Sequence, residues 1–377
     1  MNKRPFIILS AFLLLFSLIE KGQATETYRP ETSVAGFIQL PGSGRQVYNF
    51  NPGWRFFRGD VQGAEAVNFD DRSWNVVSTP HTVELMPAEG SGCRNYQGPA
   101  WYRKHFVLPA ETKGQRVVLH FEAAMGKQIL YLNGKRIQEH LGGYLPFTLD
   151  LTANGVQAGD SCLLAVFTDN SDDKSYPPGK RQYTLDFAYH GGIYRDVWMI
   201  AKSPVAITDA IDSQTVGGGG VFVHFDKISE KSAQVYVNTE VQNDDARSES
   251  VTVETTLTDA DGKVIKRSSG KLSLKPGEKK IIRQQMEVKN PTLWSPDTPY
   301  LYRVQSRIKK GNKSIDGGIT RVGIRLAEFR GKDGFWLNGK PFGQLVGANR
   351  HQDFAYVGNA LPNSQQWRDA KRLRDAG

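Results

Sequence analysis

The stretch ILYLNGKRI, residues 129–137, carries the clearest structural signal in the first half of the chain. Four apolar or aromatic side chains run directly into Asn133-Gly134, a dipeptide that two-residue hairpin turns favour because both residues tolerate positive φ. The stretch therefore predicts two antiparallel strands joined by a tight turn.

Two further runs on either side of this hairpin have the same character. Residues 117–121 read VVLHF and residues 163–167 read LLAVF, and both are rich in side chains that favour strands. Between residues 45 and 202, no apolar pattern with the helical period continues for three turns. We therefore predict a β-sandwich of roughly 150 residues in this part of the chain.

The composition changes after Ser203-Pro204, where we place a domain boundary. Residues 233–241 (AQVYVNTEV) and 250–257 (SVTVETTL) alternate apolar with polar side chains. Such alternation indicates strands with one buried and one solvated face. With a tight turn at Asp261-Gly262, the pattern predicts a second, smaller sandwich of immunoglobulin size.

The C-terminal residues follow a third pattern. Phe335–Asn338 followed by Gly339-Lys340 predicts a hairpin, and residues 342–347 predict a buried strand. That strand ends in the polar stretch GANRHQD, residues 347–353.

A helix is predicted from Ser364 onward. Trp367, Ala370 and Leu373 form one apolar stripe at positions i, i+3 and i+6, and Gly377 stands where a C′ glycine would end the helix. One strand and one helix cannot bury their apolar faces alone, so we expect this third module to be unfinished.

The N-terminus has the order of a secretory signal peptide. Lys3 and Arg4 precede an apolar run over residues 6–19, and the small residues Gly22 and Ala24 follow. The run is shorter than the roughly 20 residues that a spanning helix needs, although an uncleaved anchor is the alternative. We expect residues 1–24 to be removed and the protein to be periplasmic or secreted, without stable membrane insertion.

Charge and cysteine usage narrow the classes of partner. The formal net charge is +9, but no run of Lys and Arg exceeds three residues and acidic residues are interspersed, so we expect no nucleic-acid partner. Cys93 and Cys162 could form one disulfide in an exported protein. We favour two separate thiols, because Cys162 lies in the apolar run CLLAVF. We expect no metal site from spacing, since no histidines cluster with these cysteines.

No catalytic motif is complete: G-x-S-x-G, H-E-x-x-H, the phosphate-binding G-x-x-x-x-G-K-[ST] and a G-x-G-x-x-G after a strand are all absent from the sequence. Residues 186–196 (DFAYHGGIYRD) nevertheless have the composition of a binding surface, because Gly191-Gly192 permits close backbone approach. Three side chains there could hydrogen-bond a hydroxylated ligand: Asp186, Tyr189 and His190. The alternative is a β-bulge in which an Arg195–Asp196 pair fixes a strand end, which we favour for those two residues and leave open for Asp186.

A second candidate surface is formed by Asn349, Arg350 and His351. A strand that becomes polar at its C-terminal end, before a loop and a helix, is where a (β/α)₈ barrel builds its active site. The alternative is an Asn that caps a turn beside a solvated Arg–Asp pair, and the residues alone leave both readings open.

Taken together, these pieces resemble glycoside hydrolase family two, the β-galactosidase and β-glucuronidase family. The matching stretches keep the family's order and are spread over nearly all of the chain after residue 24: NPGWRFFRGD (51–60), FDDRSWNVVSTPHT (69–82), GPAWYRKHF (98–106), LNGKRI (132–137), GGIYRDVWM (191–199), LWSPDTPYLY (293–302), VGIR (322–325), FWLNGKPF (335–342) and GANRHQD (347–353).

The resemblance implies a mainly β fold class and three domains. These are an N-terminal jelly-roll, sugar-binding-like domain over residues 25–202, an immunoglobulin-like sandwich over residues 203–326, and the truncated start of a TIM (β/α)₈ barrel over residues 327–377. It also implies a retaining β-glycosidase, most similar to β-galactosidases, that acts on β-linked oligosaccharides and can be a homo-oligomer at full length. The family's two catalytic Glu residues lie on later barrel strands, so we expect none in this chain and no turnover by it.

Five substrate-binding positions carry over by resemblance. His351 of the N-R-H motif, with Asn349 and Arg350, would line the subsite that holds the cleaved sugar. Asp186, six residues before Gly192, would reach into that subsite and could help to hold a Na or Mg ion in the full-length enzyme. Asn95, three residues before Gly98, is a weaker match. Two residues depart from the Glu and His of the lactose-type pattern: Gln352 and Asp353.

The rival hypothesis is a non-catalytic carbohydrate-binding or structural β-sandwich protein. A sugar-binding module of that kind would present exposed aromatic side chains on one sandwich face. The tryptophans of the first sandwich lie in strand-like runs, and we expect them in the core: Trp54, Trp74, Trp101 and Trp198.

Overall fold

The computed structural model describes residues 33–87, 95–177 and 179–377. The expected signal peptide and Cys93 lie outside these residues. Two β-sandwiches and a small C-terminal segment account for the described chain, so the predicted mainly β fold class is confirmed. Among the described residues, no helix is long and apolar enough to cross a bilayer.

The first sandwich, called the jelly-roll sandwich below, is built from short antiparallel strands. These are β1 (Gln46–Asn49), β2 (Trp54–Arg58), β3 (Asn75–Val77), β4 (Pro99–Val107), β5 (Arg116–Phe121), β6 (Lys127–Leu132), β7 (Lys135–Leu141), β8 (Phe147–Asp150), β9 (Ser161–Asp169) and β10 (Val197–Lys202). They form a six-stranded sheet with the order β3-β2-β4-β9-β6-β7 and a four-stranded sheet with the order β1-β10-β5-β8.

The predicted hairpin lies between β6 and β7. Asn133 and Gly134 have φ values of +51° and +81°, the positive pair that a type I′ turn requires. The prediction from ILYLNGKRI is therefore confirmed.

One core fills the jelly-roll sandwich. Trp54 and Tyr102 from the six-stranded sheet meet Leu119 and Phe121 from the four-stranded sheet, and all four side chains are fully buried. Burying each apolar side chain of this size contributes about 1.5–3 kcal/mol. Cys162 also packs here as a free thiol, and burial raises its pKa.

Three of the four tryptophans predicted to lie in the core are buried, and the fourth is not. Trp54, Trp74 and Trp101 are buried, as predicted. Trp198 is only half-buried, and its indole Nε1–H donates to Glu122 Oε1 at 2.9 Å. The polar indole nitrogen thus has a hydrogen-bond partner outside the core.

The second sandwich has the alternating pattern that its sequence predicts. Its strands are β11 (Val205–Ile207), β12 (Val221–Asp226), β13 (Ser232–Asn243), β14 (Glu249–Thr258), β15 (Val264–Leu274), β16 (Lys279–Lys289), β17 (Tyr302–Lys310) and β18 (Lys313–Val322). One sheet has the order β15-β14-β17-β18, and in the other β13 pairs with β11, β12 and β16. Buried and partly exposed residues alternate along most of β13.

Charged side chains join the two sandwiches, and these contacts are called the sandwich seam below. The Arg45 guanidinium donates two hydrogen bonds of 2.7 Å to the Asp316 carboxylate. Arg116 of β5 reaches three carboxylates, at 2.6, 2.5 and 3.2 Å: Asp150 of the jelly-roll sandwich and Asp212 and Asp244 of the second sandwich. Ile38 pairs with Ile319 by two backbone hydrogen bonds and so adds a short bridge to β18.

The C-terminal segment contains a small sheet and one helix. The elements are β19 (Ala327–Phe329), β20 (Phe335–Leu337), β21 (Lys340–Gly343) and α1 (Asn363–Asp375). The hairpin predicted at Gly339-Lys340 is present between β20 and β21. The barrel start that the family resemblance implies stays a prediction.

The buried strand predicted over residues 342–347 is wrong. β21 ends at Gly343, and residues 344–350 are exposed and have no helix or strand. A buried barrel strand takes its hydrogen bonds from a neighbour on each side. Within the described part of the chain, no strand pairs with residues 344–350.

The predicted helix is confirmed, but the predicted stripe does not lie in a core. Ala370 and Leu373 are exposed and Trp367 is half-buried. The buried residue of α1 is Gln365, whose amide donates to Asp369 Oδ1 at 2.9 Å. Gly377 has φ +88° directly after α1 and its cap, as a C′ glycine requires.

Candidate functional site

A cavity of about 390 Å³ lies where the C-terminal segment passes the jelly-roll sandwich. Four of the five predicted binding residues line it together: Asp186, Asn349, Arg350 and His351. The other lining residues are Tyr144, Phe187, Ala188, Gln352, Asp353 and Asn359. Two segments more than 150 residues apart in sequence thus meet at one site.

The loop that carries Asp186 is held from inside by buried amides. Gln182 donates from Nε2 to the Asn170 carbonyl at 2.8 Å and accepts the Tyr189 N–H at 3.2 Å. Asn170 donates in turn to the Tyr189 carbonyl at 2.7 Å. These bonds close the loop around Gln182 and leave Asp186 exposed at its outer edge, on the cavity wall.

The Gly191-Gly192 pair lets the chain approach its own backbone. A Cβ on Gly192, whose φ is +112°, would lie 2.7 Å from the His81 carbonyl oxygen and 2.5 Å from the Tyr102 hydroxyl. Val83 N–H donates to the Gly191 carbonyl at 3.0 Å, and His81 N–H to the Ile193 carbonyl at 2.8 Å. The glycines therefore serve close packing beneath the site.

The other wall is held by a tight loop over residues 354–358. The Phe354 N–H donates to the Gly358 carbonyl at 3.1 Å, and the Gly358 N–H donates back to Phe354 at 2.9 Å. At the tip, Tyr356 donates its N–H to the Met86 carbonyl at 2.6 Å. The loop is thus closed on itself and attached to the jelly-roll sandwich just after GANRHQD.

A buried histidine joins the two walls. His190 Nε2 lies 3.4 Å from Asp353 Oδ2, and both residues are buried. Burial lowers the pKa of His190, and the nearby Asp353 carboxylate opposes that shift only in part. The imidazole is therefore neutral at pH 7, with one N–H to donate to the carboxylate.

The predicted Arg195–Asp196 pair does not form. Arg195 donates from Nη2 to Gln352 Oε1 at 3.1 Å, whereas the Asp196 carboxylate accepts from Asn51 at 2.9 Å and Asn363 at 3.1 Å. The two neighbouring side chains thus reach different partners. The contacts to Gln352 and Asn363 connect the jelly-roll sandwich to the C-terminal segment.

Arg350 is engaged by helix α1. Its guanidinium donates to Gln366 Oε1 at 3.0 Å and pairs with the Asp369 carboxylate. An Arg–Asp pair was the structural alternative for this position, and Asp369 is its partner. Arg350 therefore lines the cavity with its charge already largely neutralised.

Asn95 lies outside the cavity lining. It is buried, and its amide donates to the Tyr189 carbonyl at 3.0 Å and the Tyr96 carbonyl at 3.2 Å. Its position beneath the Asp186 loop indicates a structural contribution to the site.

Two lining residues lie outside the stretches that the sequence analysis singled out: Tyr144 and Asn359. Tyr144 follows Gly142-Gly143 in the connection from β7 to β8, and an aromatic residue after two glycines was a signal that could have been followed. Burial raises the pKa of Tyr144, so its hydroxyl remains a donor at neutral pH. Asn359 had no comparable signal.

The lining suits a polyhydroxylated ligand. Carboxylates accept, guanidinium and amide groups donate, and Asn and His can do both. Within the described ranges, no three His, Cys, Asp or Glu side chains converge as metal ligands would. The described residues thus do not form a cage for the ion that the resemblance allows beside Asp186.

Family comparisons match both sandwiches. The family model described as the sugar binding domain of glycosyl hydrolases family 2 matches residues 57–204. The model described as glycosyl hydrolases family 2 matches residues 219–325.

Individual relatives extend the match into the C-terminal segment. A β-galactosidase of Thermoanaerobacter pseudethanolicus is 34% identical over 331 residues, which are 88% of this chain and 42% of the relative. A β-glucuronidase of Formosa agariphila is 33% identical over 356 residues, which are 90% of this chain and 36% of the relative. The structure of Bacteroides uniformis β-glucuronidase 2, covalently bound to cyclophellitol-6-carboxylate aziridine, matches with a TM-score of 0.79 and 31% identity over 88% of this chain and 39% of that chain. This chain spans about two fifths of the length of these relatives.

Proposed function

Because the chain belongs to glycosyl hydrolases family 2, as its motifs predicted, we propose that it is the N-terminal, sugar-contacting part of a retaining β-glycosidase of the β-galactosidase type. The observation that carries the proposal is the cavity in which Asp186, Asn349, Arg350 and His351 lie together. The resemblance assigns these positions to one sugar subsite, and the cavity's hydrogen-bonding groups suit sugar hydroxyls.

The charge of the lining supports a neutral sugar over a uronic acid. Asp186 and Asp353 bring two carboxylates, whereas the guanidinium of Arg350 already pairs with Asp369. A glucuronide carboxylate entering this cavity would meet like charge, and the one Lys or Arg side chain among the described lining residues, Arg350, is already paired. A galactoside presents only hydroxyls, so we expect it to be the preferred substrate.

Catalysis would need two carboxyl groups about 5–5.5 Å apart, one as acid/base and one as nucleophile. We expect both to come from segments that follow Gly377 in the gene product. The role of this chain is to hold one wall of the subsite and to orient the sugar. The 377-residue chain alone should then show no turnover.

We place the enzyme outside the cytoplasm, as a periplasmic or secreted protein. The charged, apolar and small-residue order of residues 1–24 supports this placement. Its substrates would be β-linked sugars at the ends of extracellular oligosaccharides.

The test starts from the coding DNA past the codon for Gly377. The uninterrupted product is expressed and assayed with p-nitrophenyl β-galactoside and p-nitrophenyl β-glucuronide. We expect a higher kcat/KM for the galactoside, and a loss of roughly 10- to 100-fold in Asp186→Ala and in His351→Ala, as for a lost hydrogen bond to substrate.

Asp226→Ala is the matched control, because Asp226 is an exposed residue of β12 and lies outside the cavity. A clear preference for the glucuronide would overturn the galactosidase assignment. Hydrolysis by the 377-residue chain alone would overturn the proposal that both catalytic carboxyl groups come from segments after Gly377. An immediate stop codon would favour a non-catalytic sugar-binding protein.

A further inference from the structure

We propose that His190 of the jelly-roll sandwich is a positioning residue for the candidate site, which it serves by fixing Asp353 and therefore the segment Asn349–Asp353. This inference rests on the proposed function, because the segment matters only if it contacts the sugar. His190 itself does not line the cavity. His190 would affect substrate binding through the segment Asn349–Asp353, which lines the cavity.

The first support is the bond between two buried residues. His190 Nε2 and Asp353 Oδ2 are 3.4 Å apart, and the residues are only 3% and 8% exposed. A polar contact away from solvent is costly to lose, since water cannot replace either partner. Asp353 lies two residues after His351, so a shift of one displaces the other.

The second support is the backbone that packs against Cγ and Nδ1 of the ring. A Cβ on Gly358 would lie 2.6 Å from His190 Cγ and 2.7 Å from Nδ1. Gly358 has φ +51°, which a residue with a side chain rarely adopts. The ring is thus held between the Phe354–Gly358 loop and Asp353, and only Nε2 is directed to the carboxylate.

The third support is that the segment needs an external hold. Within the described part of the chain, residues 344–353 form no helix or strand, and residues 344–350 are exposed. Arg195 contacts the neighbouring Gln352 at 3.1 Å, so two consecutive residues of the segment are held by the same loop of the jelly-roll sandwich. Of these two holds, only the His190–Asp353 contact is buried on both sides.

The first experiment measures amide hydrogen exchange over residues 349–360 in the 377-residue chain. His190→Leu removes the hydrogen-bond donor and fills its place with an apolar side chain. We expect amide exchange over residues 349–360 to become at least about 10-fold faster, the effect of losing one buried hydrogen bond. His190→Gln can place an amide N–H near the same acceptor, and we expect it to restore most of the protection. Exchange in β5 and β6 should be unchanged in both.

His105→Leu is the matched control, because His105 also contacts an aspartate, Asp71 at 3.2 Å, but is exposed and remote from the cavity. We expect it to leave residues 349–360 unchanged. If His190→Leu fails to fold, Asp353→Ala tests the same contact from the C-terminal segment, outside both sandwich cores. It should produce the same acceleration. Parent-like exchange in His190→Leu, or in Asp353→Ala where the former does not fold, would overturn the proposal.

A kinetic measurement separates this proposal from the proposed function. In the uninterrupted product, His190→Leu should raise KM for p-nitrophenyl β-galactoside by about 10-fold with a smaller change in kcat, and His190→Gln should recover most of it. Loss of exchange protection with unchanged KM and kcat would overturn the positioning role. If the unmutated product shows no glycosidase activity, the proposed function fails, and the positioning role for sugar binding fails with it. The exchange result would then stand only as a statement about folding.

Discussion

The sandwich seam and the contacts around the cavity are both polar, but they use different chemistry. In the sandwich seam, Arg45 and Arg116 hold carboxylates across the boundary. In the site seam, by which we mean the contacts His190–Asp353, Arg195–Gln352 and Asp196–Asn363, each charged group meets a neutral imidazole or a side-chain amide instead of an opposite charge.

This difference has a thermodynamic consequence. Arginine stays charged at every physiological pH, and a buried arginine pair is expensive to break because the remaining charge is left without a partner. Hydrogen bonds in which only one partner is charged contribute less each, about 1.5–3 kcal/mol. The sandwich seam should therefore behave as a permanent joint, and the site seam as one that can open locally.

Breaking the sandwich seam should have a large effect on stability. In Arg45→Met, the Asp316 carboxylate, which is 0% exposed, loses its cation. We expect the free energy of unfolding to fall by about 3–5 kcal/mol, measured by urea denaturation.

Arg72→Met provides the control for this measurement. Arg72 pairs with Asp70 at the same 2.7 Å, but both side chains are mostly exposed, so no measurable loss is expected. A loss below about 1 kcal/mol in Arg45→Met would show that water or Lys202 replaces the arginine, and the seam would not be the joint described here.

In the site seam, adding one methyl group at Gly358 should open the loop without unfolding the sandwiches. The new Cβ would lie 2.6 Å from the His190 ring at a φ of +51°. We expect Gly358→Ala to lower the free energy of local opening over residues 354–360 by about 1–3 kcal/mol, measured by hydrogen exchange.

The comparison variant is Gly343→Ala. Gly343 also has a positive φ, +88°, but no atom lies within 4 Å of its added Cβ. It therefore reports the cost of the backbone conformation alone. If both variants lower the free energy of opening of their own segments equally, the contact between Gly358 and the His190 ring contributes nothing to closing the loop.

The two seams should also respond to opposite ends of the pH scale. Burial lowers the pKa of His190 below its ordinary value near 6.5, against the opposing pull of Asp353 and Glu84. Its stabilising contribution is complete above pH 6.5 and is lost as the pH falls through the folded-state pKa, by at most about 1.4 kcal/mol per pH unit for one proton. Beside the sandwich seam, Lys202 of β10 donates to the Ile207 carbonyl of β11 at 3.2 Å. Burial lowers the pKa of Lys202 from 10.5 to about 8, so the free energy of unfolding should rise as the pH increases from about 8 to 10.5.

Hydrogen exchange over residues 354–360 between pH 7 and pH 5, corrected for intrinsic rates, measures the first effect. In His190→Gln the opening free energy should not vary with pH in that window. A pH dependence that persists in this variant would assign the effect to another group.

Much of the two sandwiches could be predicted because their signals are local. The period-two alternation of AQVYVNTEV and the Asn-Gly turn after ILYL depend only on neighbours in sequence. The strand and hairpin predictions made from them are confirmed. The family resemblance expects Asp186 and residues 349–351 in one sugar subsite, and these four residues line one cavity. Their contact with a sugar stays a prediction.

The failures share a different origin. Residues 342–347 have an apolar composition suited to a strand, but a strand needs partners that local sequence does not specify. The partner of His190 lies 163 residues away in sequence, and nothing in either segment identifies the other. Gly191-Gly192 was correctly read as a site of close approach, but the group approached is the chain's own backbone at residues 81–83.

The smallest expected effect concerns Asp196, whose two amide donors differ in burial. Asp196 accepts one amide from Asn51, which is buried, and one from Asn363, which is exposed. Asn51 also accepts from the Thr79 hydroxyl and the Val197 N–H, both at 2.7 Å. Asn363→Ala should therefore change the free energy of unfolding by no more than about 0.5 kcal/mol, because water can replace its amide. Asn51→Ala should cost about 2 kcal/mol or more, because it leaves the Thr79 hydroxyl and the Val197 N–H without their acceptor and removes the buried donor of Asp196. Equal losses in urea denaturation would mean that the C-terminal segment is held as firmly as the sandwich core, and the site seam could not open alone.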